Sequence, residues 1–231
     1  MIPDNNKEQY FNVALATGIV LFAFDLEHLH ILLTRKKEEP FKGAWVIPSR
    51  YVKADESLEE NVKVLLKNTI GHEDVYLEQL NAFAKVYRNP IGRVVNIPFY
   101  GLMQLTEKEF KNAEKNNCKW IKYHDVPDMA FDHNEIIDYA KERLKRRVKR
   151  RPVGFNSLPK EFTLNQLQTL YEQALNKTFD KRNFRKKIFN SQLLVDTGKT
   201  IITSQGKESK LYKFDMERYE KMSLKGYDFL F

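Results

Sequence analysis

The sequence predicts an α+β chain of two domains: a mixed strand-and-helix domain at 1–152 and a smaller helix-and-hairpin domain at 153–231. Three observations predict it. At 231 residues the chain exceeds one small module and is long enough for two cores. The segment RPVGFNSLP (151–159) breaks a helical pattern with Pro and Gly and reads as a linker. Charge divides in the same region: residues 141–231 hold 22 Lys/Arg against 10 Asp/Glu, a surplus of +12, and the first 140 hold 17 against 21, a deficit of 4. A basic half beside a mildly acidic half suits a polyanion partner for one part and a different task for the other.

Composition narrows the class. With 42% hydrophobic and 13% aromatic residues the chain forms packed cores rather than a disordered tail. No run of about 18 apolar residues occurs, so no membrane span is expected. The opening MIPDNNKEQYF lacks a charged stretch followed by an apolar one, so no signal peptide is expected. Cys118 is the only cysteine, which excludes an internal disulfide, fits a reducing cytoplasm, and reads as a small packing residue.

Along the first domain, VALATGIVLFAF and LHILLTRK read as two strands joined by a turn at Asp25–Glu27. KKEEPFKGAW is a loop punctuated by Pro40 and Gly43. A helix follows, with Asp55 or Ser57 as cap, Leu58, Val62, Leu65 and Leu66 at helical spacing, and Gly71 as its stop. VYLEQLNAFAKVY and RVVNIPFYGLMQL predict two more strands around the turn RNPIG, and CKWIKY a short one. Residues 134–150 predict an amphipathic helix with Ile136, Ile137, Ala140 and Leu144 inward.

In the second domain Thr163 and Gln166 form a capping box, with Phe162 and Leu167 as its hydrophobic staple. Leu170, Tyr171 and Ala174 continue that helix. Asp180 caps a second one, KRNFRKKIFNS, in which Phe184 and Ile188 turn inward. GKTIITS and KLYKFD are strand-like runs around a polar tip. Helix, turn, basic helix and hairpin in that order make a winged helix-turn-helix. Its DNA-binding candidates are Lys181, Arg182, Asn183, Arg185, Lys186 and Lys187 on the helix and Lys207 and Lys210 on the wing. Arg and Asn have the geometry to read guanine and adenine in the major groove, whereas Lys186, Lys187, Lys207 and Lys210 suit phosphates.

The segment WVIPSRYVKADESLEENVKVLLKNTIG resembles the Nudix box, G-x5-E-x7-R-E-U-x-E-E-x-G-U with U aliphatic, through Trp45, Pro48, Glu56, Leu66 and Gly71. Arg50 stands at the box's first glycine and Ser49 at the glycine that usually precedes it, and R-E-U-x-E-E falls on Val64, Leu65, Leu66, Lys67, Asn68 and Thr69. Nudix hydrolysis needs helix carboxylates to hold Mg²⁺. Only Glu56 survives; Leu65, Asn68 and Thr69 carry no charge, so no catalysis, metal or cofactor is expected. The alternative is a hydrolase of ADP-ribose-like diphosphates with a rearranged metal site built from Glu56, Glu59 and Glu60.

KVYRNPIGRVVNIPFYGLM is similar to the R-x-P-x-x-R-V-V signature shared by ADP-ribose-type Nudix proteins and the Nudix-related transcriptional regulators. FDHNEIIDYA, VGFNSLPKEFTLNQLQTLYEQAL and FDKRNFRKKI resemble the regulators, so the likeness spans about residues 13–214. It implies a Nudix-like α/β/α sandwich followed by a winged helix, in a bacterial homodimer that binds a double-stranded operator. It also implies an effector, either a small sugar such as arabinose or a nucleotide sugar of the ADP-ribose type. Matching positions put Arg88, Arg93, Asn96 and Tyr100 near the effector, with Arg35, Arg50, Asp132 and His133 as further candidates. His133 also reads as a structural histidine at a helix start. His28 and His30 lack the further ligands that a zinc site requires.

Overall fold

The computed structural model describes residues 12–203 and 206–225. The segment 1–11, on which the signal-peptide expectation rests, and Ser204 of the expected hairpin lie outside the described residues. Two compact units are present, one bounded by Met1–Phe22, Ile31–Gly101 and Thr106–Ala140, the other by Ala23–His30, Leu102–Leu105 and Lys141–Phe231. Among the described residues no helix is long and apolar enough to cross a membrane.

A seven-stranded sheet organises the first unit. Its strands are β1 (Ala14–Phe24), β2 (Leu29–Arg35), β3 (Trp45–Val46), β4 (Ser49–Tyr51), β5 (Leu77–Gln79), β6 (Val94–Gln104) and β7 (Cys118–Lys122). The order is β3-β2-β1-β6-β5, with β4 paired to β1 and β7 to β2. β1 is central, and its continuous apolar run is buried from Ala16 to Phe24 because both faces are covered. The antiparallel register of β1 with β4 sets Thr17 opposite Arg50 and Gly18 opposite Ser49. A side chain at Gly18 would come within 2.9 Å of Ile47 Cδ1 and 3.1 Å of the Ser49 hydroxyl, so these side chains would have to shift to admit one.

Helix α1 (Leu58–Ile70) starts at Ser57, not Asp55. The Ser57 hydroxyl accepts from the Glu60 N–H and the Glu60 carboxylate accepts from the Ser57 N–H, a complete capping box. Gly71 ends it at φ 83°, and the helix buries Asn61, Val62, Leu65, Leu66, Thr69 and Ile70. α2 (Glu107–Lys115), which the sequence pattern did not predict, packs on α1 and β7. It buries only Glu109 and Ala113, too little to create an apolar stripe. α3 (His133–Arg150) buries Ile136, Ile137 and Ala140 in its first half. Cys118 is buried, and burial pushes its thiol pKa up, as a packing residue requires.

In the second unit, α4 (Leu164–Leu175) carries the expected capping box, with Thr163 and Gln166 bonded reciprocally. α5 (Lys181–Asn190) is capped by Asp180, whose carboxylate accepts from the Asn183 N–H at 2.9 Å. β8 (Leu194–Ile202) and β9 (Glu208–Phe214) form the wing, with a bulge at Gly198 (φ 71°) between the paired stretches. Phe162 bridges Tyr212, Phe184 and Ile188 are buried, and the Phe184 ring packs against Tyr171. A last helix, α6 (Met216–Ser223), follows a cap at Asp215 and was not predicted.

Two expectations need correction. VYLEQLNAFAKVY is a strand only at Leu77–Gln79, with one further bridge between Phe83 and Asn96. Tyr76, Val86 and Tyr87 are exposed, so the apolar alternation there has no core to meet. The segment 151–159 is not a free linker: Pro152–Ser157 is a 3-10 turn whose Phe155 is buried and stacks on Phe214 at 4.3 Å. Its Gly154 lies against Leu170, where an added Cβ would come within 3.2 Å of Cδ2. Proline and glycine here shape a packed turn instead of releasing the chain.

Candidate functional site

Strands β1, β2, β4 and β6 and the start of α3 enclose a cavity of about 320 Å³ in the first unit. That size falls within the range of about 300–1,000 Å³ typical of small-molecule sites. Its lining combines apolar residues, Ala16, Val46, Ile47, Val94 and Phe131, with the cationic Arg35, Lys36, Lys37, Arg50 and Arg88, and includes Asn96 and His133. Among the described residues no Asp or Glu lines it. The overall charge deficit of the first 140 residues is therefore reversed at this surface.

Each polar wall is fixed by its own contacts. Arg88 donates from Nε and Nη2 to both oxygens of Asp132 at 2.8 and 2.5 Å, and these side chains are only 4% and 8% exposed. Such a bidentate pair holds both planes rigidly. Arg35 donates to the Gly43 carbonyl at 2.8 Å and lies over the Trp45 ring at 3.7 Å. The His133 Nδ1 accepts from the Ile47 N–H at 3.2 Å, which places the neutral ring's proton on Nε2. Burial lowers the His133 pKa to about 4, with the positive charge of Arg88 adding to the effect and Asp132 opposing it. Asn96 is 2% exposed, and its Oδ1 has no hydrogen-bond partner among the described residues. A buried acceptor facing a cavity is suited to a hydroxyl or N–H of a bound molecule.

Arg50 forms a second rigid unit. Its Nη1 donates to Glu56 Oε1 at 2.5 Å, while Glu56 Oε2 accepts from Asn61 Nδ2 at 2.7 Å and from the Lys53 N–H at 3.3 Å. Asn61 is itself held by the Thr17 hydroxyl at 2.6 Å. The Arg50 hydrogen bond keeps the Glu56 carboxyl below its ordinary pKa. The other positions of α1 that match the carboxylates of the Nudix box make different contacts. Leu65 is buried, Asn68 is exposed, and the Thr69 hydroxyl bonds back to the carbonyls of Leu65 and Leu66. Glu60 is engaged in the cap of α1. Among the described residues no group of three His, Cys, Asp or Glu side chains is arranged to hold a metal ion.

Of the effector candidates, Arg35, Arg50, Arg88, Asn96 and His133 meet at the cavity, and Asp132 stands behind Arg88. Arg93 and Tyr100 lie outside the lining. Arg93 donates to the Ala84 carbonyl at 2.7 Å. Tyr100 sits opposite Glu78 in the β5–β6 pair, with its hydroxyl 3.3 Å from that carboxylate. Lys36, Lys37, Ser49, Tyr51 and Phe131 line it without having been picked out. The signal for the first two was their place directly after Arg35 at the end of β2.

The cationic helix of the second unit presents Lys181, Arg182, Asn183, Arg185, Lys186 and Lys187 as exposed residues around its buried Phe184 and Ile188. Arg185 and Lys210 face one groove of about 210 Å³ with Asn165 and Ser209, and Arg185 Nη2 lies 3.4 Å from Asn165 Oδ1. Lys210 is bound to Asp196 at 3.0 Å, whose carboxylate raises the lysine's pKa. Lys187 belongs to a different surface, a depression it shares with Lys145, Lys149 and Lys177. Lys207 is exposed at the tip of the wing.

Comparison with known proteins follows the same division. Residues 154–214 match the family described as "NrtR DNA-binding winged helix domain". The chain is 25% identical over 218 residues to the ADPR responsive transcriptional repressor NtrR of Acinetobacter baylyi, covering 93% of this chain and 87% of that protein. It is 30% identical to Shewanella oneidensis NrtR as crystallised with a 27mer DNA, with a TM-score of 0.73 over 87% of this chain and 93% of that one. The Nudix domain of the same Shewanella protein, crystallised with ADP ribose, is 28% identical, with a TM-score of 0.52, covering 61% of this chain and 94% of that one. With an α+β fold of Nudix-like α/β/α sandwich and winged helix, and this similarity along nearly its whole length, the chain belongs to the NrtR family of Nudix-related transcriptional regulators.

Proposed function

We propose that the chain is a DNA-binding transcriptional repressor whose residues 1–152 sense an ADP-ribose-type nucleotide without hydrolysing it, and whose residues 153–231 bind a double-stranded operator. It works in the cytoplasm as a homodimer, because paired recognition helices match half-sites about one DNA turn apart. One observation carries the reading: the cavity is lined by five cationic side chains and, among the described residues, no carboxylate, and with Arg88 and Arg50 paired to Asp132 and Glu56 outside the lining, Arg35, Lys36 and Lys37 still leave the wall net positive. A neutral pentose has no use for that charge, whereas a diphosphate has. The apolar wall of Val46, Ile47, Val94 and Phe131 suits a nucleobase, and the Asn96 Oδ1 suits a ribose hydroxyl. Response to ADP-ribose in the Acinetobacter relative and its presence on the Shewanella domain agree with this chemistry.

Inactivity is supported by the fate of the carboxylates. Both oxygens of Glu56 accept from Arg50, Asn61 and the Lys53 N–H, and Glu60 gives its Oε2 to the cap of α1, so the rearranged site of Glu56, Glu59 and Glu60 has one member fully engaged and a second engaged through one oxygen. DNA binding is supported by the exposed cationic face of α5. Fluorescence anisotropy with duplex from the chain's own upstream region tests the whole reading. We expect preference for that duplex over a scrambled one, and an affinity changed by ADP-ribose but not by arabinose. Sustained Mg²⁺-dependent hydrolysis of ADP-ribose together with no affinity for duplex at low salt would refute it.

A further inference from the structure

A Nudix fold implies a divalent cation on the carboxylates of its box helix, and the residues present here do not fit one. Leu65 is buried in the core, Thr69 is bonded to its own helix, and both oxygens of Glu56 already accept hydrogen bonds from protein donors. A hard cation would have to displace a guanidinium and an amide to gain one carboxylate.

The group that has taken the carboxylate is itself a cation on the cavity wall. Arg50 stands on β4 opposite Thr17, and a closed chain of bonds fixes it: Thr17 to Asn61 at 2.6 Å, Asn61 to Glu56 at 2.7 Å, and Arg50 to Glu56 at 2.5 Å. Only Nη1 is used in that anchor; Nε and Nη2 make no other hydrogen bond among the described residues, and the side chain lines the cavity. A guanidinium anchored through one nitrogen keeps N–H donors for an anion, in a planar fork that matches phosphate oxygens.

We propose that Arg50 is a built-in replacement for the divalent metal: its guanidinium, oriented by Glu56, receives the diphosphate of the effector, so recognition is independent of Mg²⁺. This rests on the ADP-ribose reading above and adds to it the residue that sets the charge requirement. The glycine-to-arginine change in the box and the loss of its acids then become two halves of one exchange, a protein cation for a metal cation.

Titration calorimetry of the full chain with ADP-ribose, in excess MgCl₂ and in excess EDTA, tests it. The expected result is the same affinity in both conditions and a loss of about tenfold or more in Arg50→Gln, the scale of one lost charge-assisted contact. Binding that weakens about tenfold when the metal is removed overturns the proposal. So does unchanged binding in an Arg50→Gln chain whose unliganded melting temperature matches the parent's. Should that variant not fold, the comparison of MgCl₂ with EDTA on the unaltered chain decides alone. If ADP-ribose binds in neither condition, the nucleotide reading is what fails, and inorganic diphosphate in EDTA then serves as the probe. A rise in melting temperature that Arg50→Gln abolishes upholds the role of Arg50, and no rise in the unaltered chain removes it.

Discussion

His133 sits where the cavity meets the first turn of α3, and its chemistry gives the fold a pH dependence of known sign. Its Nδ1 accepts the Ile47 N–H, and burial, assisted by Arg88, lowers its pKa from the ordinary 6.5 to about 4. As pH falls through 6.5 the unfolded chain takes up a proton that the folded chain refuses until about pH 4. The contribution is therefore full above about pH 6.5 and is lost between there and about pH 4, by up to about 3 kcal/mol. Urea unfolding at several pH values should show that slope, and His133→Gln, which keeps an acceptor for Ile47, should flatten it within the same window. The residues of this site were legible to the extent that a motif specifies them. The R-x-P-x-x-R-V-V run and the FDH segment led to Arg88, Asn96, Asp132 and His133. The same run also nominated Arg93 and Tyr100, because a linear motif does not say how far along a strand the cavity extends. The Arg50–Glu56–Asn61–Thr17 chain was not legible at all, since it depends on the pairing of β4 with β1.

At the level of elements, what is local in sequence was readable and what depends on tertiary contact was not. Ser57, Gly71, Thr163 with Gln166, and Asp180 all act within one helical turn, and every one of them is a cap in the structure. The strand expected through 75–87 and the linker expected at 151–159 failed because burial of their side chains is decided by distant partners: none for Tyr87, Phe214 for Phe155. α5 shows what a well-specified element allows one to predict. Phe184 and Ile188 lock it to its core, so exposed positions can be changed without loss of fold. Arg182→Ala should cost about 1–3 kcal/mol on the preferred duplex and little on a scrambled one, as a base-reading contact does. Lys207→Ala, at the wing tip, should weaken both alike and reduce the salt slope by about one. Anisotropy titrations on both duplexes across a salt series separate the two, and equal losses from Arg182→Ala on both would remove it from base recognition.

For the whole molecule, the question is how an occupied cavity alters a DNA-binding surface. α3 offers a continuous covalent route: it begins with His133 on the cavity wall and runs without interruption to Arg150, from the first compact unit into the second at Ala140/Lys141. A helix transmits displacement only while it is stiff, because its hydrogen-bonded turns move as one body. Asp138 and Glu142 are exposed positions at its midpoint, so glycine there removes little packing but costs about 1 kcal/mol of helix stability at each site. The doubly substituted Asp138→Gly, Glu142→Gly chain should bind ADP-ribose with parental affinity in calorimetry and bind free operator as the parent does. The change in operator affinity on adding ADP-ribose should shrink, since coupling is a free energy distinct from either binding step. Were the full effector response to persist with the helix softened, α3 would not be the conductor.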